Sequence, residues 1–382
     1  MSTIRLASSA SLTPRLSVQY HARLSQRLPR WPCPRPAQPS PCQTHNTEFH
    51  VIRRHGLVYS ATWLWRQRLA WISLGMLVSL AVITPVDALQ VTGLQTPYGF
   101  LADPSGEDYF ISNINGEPDI KDNNGFITKL DPSGKVVKLR FIAGGEGATV
   151  LHAPKGMAIV DQVLYVTDLD AVRSFDKRTG KPALTVSFDR YAHTSLSDLT
   201  YDGHGLLYTS DTEANTIYRI DTTRQHAISV LAKDGSLAGP RGLAVHPKTG
   251  NLIVASWVKG NILEVKPDGT ITELVSNAFF SSRFNNLDGI DFDSLGNMYV
   301  SDFTGGKIWR MRPDRHFDVI AEFLSSPADI GVDRKNHLIL VPYQYGNAAE
   351  INGLESPVKG GNKKRTLADY GFTPPKTGKG DR

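Results

Sequence analysis

Between Tyr98 and Val332 one short phrase recurs six times: a Pro or Leu, a variable residue, usually Gly, then an apolar residue that opens a strand. The copies read PYGF, PKGM, LSDL, PRGL, LDGI and PADI. Their apolar anchors Phe100, Met157, Leu199, Leu243, Ile290 and Ile330 are 57, 42, 44, 47 and 40 residues apart. A period of roughly 40 to 45 residues is that of a four-stranded unit repeated about an axis.

Each copy continues in the same way. The fifth reads GIDFD, a polar SLGN turn, MYVSD ending at Asp302, then KIWRM from Lys307 to Met311. The parallel second strands end at Asn113, Asp168, Asp211, Trp257 and Tyr343. Alternating and β-branched residues bounded by Gly, Asp and Pro turns are the signal of strands, and no helical stretch competes. Fourth strands follow the turns DPSGK, DKRTGK, KPDG and RPDR. The pattern predicts an all-β, six-bladed β-propeller of four-stranded antiparallel blades. After Ile351 the last copy runs into NGLESP and falls one strand short. An unpaired edge invites aggregation, so Leu89 to Thr92 is expected to close the ring as an N-terminal strand.

The formal charge of the 382-residue chain is +5, but its distribution reverses the nucleic-acid inference. Residues 1–89 hold ten Arg, no Lys and only Glu48 and Asp87 as acids, whereas residues 90–355 hold 25 basic and 33 acidic residues. A surface that tracks phosphates is locally basic, and this domain is acidic, so no nucleic-acid partner is expected.

Four segments follow. Residues 1–65 form an Arg-, Pro- and Ser-rich leader, read either as translation from a start set too far upstream or as a transit peptide. Residues 66–88 read as a signal peptide: Arg66 and Arg68, an apolar run from Leu69 to Ile83, and a Val86-Asp87-Ala88 cleavage site. That run suits an export signal better than a span of ~20 residues, which leaves no stable membrane span if it is cleaved; an uncleaved anchor is the alternative. The propeller occupies 89–355, and a basic disordered tail 356–382. A periplasmic or secreted location is expected. Both cysteines, Cys33 and Cys42, lie in the leader, so the domain has neither disulfides nor thiol nucleophiles.

The variable residue of each phrase enters the inner strand and should crown one channel mouth. The six are Tyr98, Lys155, Ser197, Arg241, Asp288 and Ala328. They form either a polar ring for a ligand or a set of side chains that satisfy one another. Trp257, Tyr343, Gln344 and Tyr345 could stack a sugar ring or a partner's side chain, or seal blade against blade. His152 and His193, just before the inner strands of blades two and three, are the best-placed histidines. The repeated acids Asp168, Asp211 and Asp302 fit turn capping. No nucleophile elbow, P-loop or dinucleotide fingerprint is present.

The repeats PRGLAVHPKTGNLIVAS and LDGIDFDSLGNMYVSD resemble those of six-bladed propellers with NHL-like repeats, and more closely the SMP-30, gluconolactonase and LRE-like group, over roughly Thr96 to Ile351. That resemblance implies a lactonase with a divalent cation, calcium or similar, held in the mouth by Glu, Asn and Asp residues. Asp288 matches the metal-binding and catalytic Asp, whereas TPYGF lacks the Glu and Arg241 stands at the Asn position. The residues themselves show no cofactor. They favour a small, possibly anionic, ligand or a protein partner, with Lys155 and Arg241 on a carboxylate or phosphate. An Arg241–Asp288 salt bridge plugging the channel is the competing outcome.

Overall fold

The computed structural model describes residues 89–191, 195–277 and 283–354. The leader, the signal peptide, the basic tail and His193 lie outside the described residues.

Six four-stranded antiparallel sheets form among the described residues. Blade one is Pro97–Ala102, Tyr109–Asn113, Phe126–Leu130 and Val136–Ala143. Blade two is Pro154–Val160, Val163–Asp168, Ala171–Asp176 and Pro182–Ser187. Blade three is Leu196–Tyr201, Leu206–Asp211, Thr216–Asp221 and Ala227–Lys233. Blade four is Pro240–Val245, Leu252–Ser256, Ile262–Val265 and Ile271–Val275. Blade five is Leu287–Phe292, Met298–Asp302, Lys307–Met311 and Phe317–Glu322. Blade six takes Gly331–Asp333, Leu338–Tyr343 and Ala348–Gly353 from the end of the domain and Leu89–Val91 from its start. In that last pairing Leu89 faces Ile351, Gln90 faces Glu350 and Val91 faces Ala349. The inner strands touch in the order one to six, and the sixth touches the first. Among the described residues no helix is long and apolar enough to cross a membrane.

The core lies between blades. Six apolar clusters each draw on two neighbours: Phe110 and Ile127 of blade one, for example, pack with Leu164 and Phe175 of blade two. Alternation along each strand sends side chains to both faces of every sheet, and each face meets the next blade.

The repeated phrase is where one blade touches the next most closely. In blades one to five the pairing slips by a β-bulge across it, which re-aims the side chain there. A Cβ on Gly242 would lie 2.2 Å from the Asp288 carbonyl, and one on Gly289 would lie 2.3 Å from the Ile330 nitrogen. Only glycine admits that approach. Second-strand hydroxyls then fix the bulge of the following blade. Ser112 donates to the Lys155 carbonyl (2.6 Å), Thr167 to Ser197 (2.7 Å), Ser210 to Arg241 (2.6 Å) and Ser301 to Ala328 (2.7 Å). The backbone carrying four of the six mouth residues is thus tied to the preceding blade.

Candidate functional site

At the mouth the ring side chains converge. The Tyr98 hydroxyl lies 2.7 Å from the Ser197 hydroxyl and donates to Asp288 Oδ1 at 2.9 Å. Arg241 Nη1 donates to Asp288 Oδ2 at 2.9 Å. Both oxygens of Asp288, which is 1% exposed, are therefore engaged. Ala328 is fully buried and contributes no polar group. Burial and the Asp288 charge raise the Tyr98 phenol well above its usual value, so it stays protonated and donates. Burial works against the Arg241 charge, but Asp288 and Tyr98 outweigh it and its pKa is raised.

Lys155 is the exception in the ring. It is 6% exposed, and its ammonium has no hydrogen-bond or ion-pair partner among the described residues. Burial pushes it down to about 8, with Arg241 adding to the effect, while Asp119, Asp288 and Asp168 pull the other way. Arg241 Nε is likewise buried without a partner. Lys155, Arg241 and Asp288 together carry a net charge of +1.

A second ring surrounds the first, and the sequence reading saw only part of it. The residue just after each second strand, Ile114, Thr212, Trp257, Phe303 or Gln344, donates its backbone N–H to the segment entering the inner strand. In blade two that residue is Leu169, whose carbonyl accepts from Leu196 instead. Ile114 and Leu169 pack with Tyr98, Ala153, Ala328 and Phe303 as an apolar collar. The Arg241 guanidinium stacks on Trp257 at 3.6 Å, Trp257 meets Phe303 at 5.3 Å, and Phe303 meets the exposed Tyr345 at 5.7 Å. Phe303 carries the same signal as Trp257, the position after a second strand, and was legible there.

Other expected residues serve elsewhere. Tyr343 packs in the wall with Ile330 and Val341, and its hydroxyl donates to Glu350 at 2.7 Å. His152 Nδ1 accepts from the Asn123 backbone at 3.0 Å, and Asn123 Oδ1 accepts from Leu151 at 2.8 Å, so this histidine joins two loops. The second-strand acids cap the entering segments: Asp168 accepts from the backbone of His152 and Ala153, Asp211 from Ser195, and Asp302 from Asn285. A hollow of about 440 Å³ carries Asp119, Asp170, Asp189 and Glu213 against a single Lys121. Leu169, which packs with Tyr98 in the collar, also lines this hollow.

On the channel axis, blades three and six carry Asp198 and Asp329 where the other copies of the phrase have Gly. These residues are 5% and 8% exposed. Asp198 accepts from the backbone of Leu199 and Leu243, each at 2.6 Å. Burial first, then neighbouring carboxylates, raises both. In the sequence the pair is marked only by an acid at the glycine position of LSDL and PADI.

No protein-family profile matches the chain, and no curated protein matches it. Solved structures do. A catalytically inactive variant of virginiamycin B lyase from Staphylococcus aureus, solved with quinupristin, superposes with a TM-score of 0.51 at 15% identity, covering 70% of this chain and 98% of that one. A protein of unknown function from Bacteroides thetaiotaomicron superposes with a TM-score of 0.53 at 14% identity, covering 69% of this chain and 71% of that one. At these identities the likeness establishes the propeller fold and nothing finer.

Proposed function

We propose that this is an exported ligand-binding propeller whose mouth takes a small molecule bearing one anionic group, a carboxylate or a phosphate monoester. The observation that carries the reading is Lys155, a 6% exposed residue whose ammonium has no partner among the described residues, in the same ring as Arg241, whose Nε is buried without one. A buried charge is costly unless it is paired. An anion entering the mouth would pair it and accept from both cations. The net charge of +1 suits one negative group, and the acid-lined hollow beside it disfavours polyanions. Trp257, Phe303 and Tyr345 offer an aromatic shelf to the rest of the ligand.

Titration calorimetry with inorganic phosphate and short carboxylates tests this directly. Saturable binding to the wild type that Lys155→Met abolishes is expected. Silence across these probes, or equal binding by the variant, rejects the reading.

Metal-dependent lactone hydrolysis of the SMP-30 type, using Asp288, is the alternative. Its support is the repeat resemblance. Against it, both Asp288 oxygens accept from side chains and a guanidinium lies 2.9 Å away. Such a donor set does not fit a divalent cation such as calcium, which takes six to eight oxygens. Bound metal in the purified protein, with lactone hydrolysis that a chelator abolishes, would reverse the order. The lyase on the same fold is an enzyme, but its likeness assigns no reaction here.

A further inference from the structure

The far side of the Asp198–Asp329 pair opens into a second cavity of about 800 Å³. Its wall contains all six apolar anchors of the repeat, Phe100, Met157, Leu199, Leu243, Ile290 and Ile330, and Asp198 and Asp329 also line it. Its volume falls within the range of small-molecule sites, and its apolar anchors converge with polar groups, as theirs do. The charged residues of the lining are six acids against Lys177 and Arg334. Two of the acids are neutralised in place: Lys177 pairs with Asp103 at 2.6 Å, and Arg334 pairs with Asp291. Asp198 and Asp329 have no basic partner among the described residues.

We propose that this cavity binds an organic monocation, an ammonium on a hydrocarbon body, whose charge is met by the Asp198 and Asp329 carboxyls. Two carboxyls in contact in a low-dielectric site cannot both ionise, so a proton stays between them. The groups facing the pair reinforce this: Asp288 and Asp291 of blade five raise Asp329, and the nearby Tyr98 phenol is neutral. An ammonium group is a compact cation with up to three N–H donors, and six apolar side chains cover its body. A divalent metal is served poorly at the pair, because both oxygens of Asp198 already accept backbone N–H groups.

Benzylamine, with benzyl alcohol as its neutral control, is the probe. Calorimetry in buffers of different ionisation enthalpy should show one site for benzylamine, release of about one proton per ligand near pH 6, and no comparable binding of the alcohol. Asp329→Asn copies the shape of the protonated acid, so it should fold and bind benzylamine about tenfold more weakly or worse, while leaving the response to phosphate or carboxylate at the other mouth intact. The proton count uses the wild type alone, so it stands even if the variant does not fold. Absence of benzylamine binding, equal binding of benzyl alcohol, no proton release, or a calcium ion held at the pair would overturn the proposal.

Discussion

Arg241 and Asp288, on neighbouring inner strands, are joined at 2.9 Å in a mouth where the carboxylate is 1% and the guanidinium 23% exposed. Removing one partner of a buried pair leaves the other charge stranded. Arg241→Ala should therefore cost about 3–5 kcal/mol in urea unfolding. Replacing both, with Arg241→Met and Asp288→Asn, removes the stranded charge and should recover most of that loss. A single variant within about 0.5 kcal/mol of wild type, the range of ordinary surface changes, would show that water already screens the pair.

Lys155 works in the opposite direction. Its side chain belongs to a residue only 6% exposed and its ammonium is unpaired, so Lys155→Met should raise stability at pH 7 by about 1–3 kcal/mol while abolishing anion binding. The pH dependence has a definite sign. In the native state the amine loses its proton near pH 8, whereas in the unfolded chain it holds it to about 10.5. Between those values the unfolded state binds more protons, so wild-type stability rises with pH. The Met variant lacks that rise. A less stable variant, or one that keeps the same slope, would mean that the ammonium is satisfied in the fold.

The periodicity of the anchors made the architecture legible, because one spacing rule recurs in each blade and one bulge in blades one to five. KIWRM was read as a strand from Lys307 to Met311, and the structure has that strand. The convergence of Tyr98, Ser197, Arg241 and Asp288 was legible for the same reason: equivalent positions in a ring meet on its axis. Which of them pair was not, since the choice between an open ring and a closed one depends on side-chain reach. Asp198 and Asp329 were missed because they replace a residue that was read only as backbone. Glycine at that position marks close approach, so an acid there has only the axis to occupy. Tyr343 packs blade against blade, one of the two roles open to it in the sequence. It ends its strand one residue before the position that faces the mouth, and Gln344 stands there instead.

Ser210 holds the site without touching its entrance. Its hydroxyl accepts from the Asp198 backbone at 3.1 Å and donates to the Arg241 carbonyl at 2.6 Å. Ser210→Ala strands both groups and should cost about 1–3 kcal/mol. It should also weaken anion binding, whereas Ser210→Thr, which keeps the hydroxyl, should restore it. If alanine and threonine behave alike in denaturation and calorimetry, the hydroxyl does not position Arg241.

Leu89–Val91 tests the ring itself. Val91 is 3% exposed and packs with Leu94, Phe100, Ile111 and Leu340, joining the last blade to the first. Deleting the three residues uncovers the edge of Ala348–Gly353 and removes a buried valine worth about 1.5–3 kcal/mol before its ladder hydrogen bonds are counted. A bare edge also pairs with other chains. The shortened protein should therefore unfold at lower urea and show higher-order species by light scattering. Unfolding and mass that match the full chain would mean that blade six is complete with three strands.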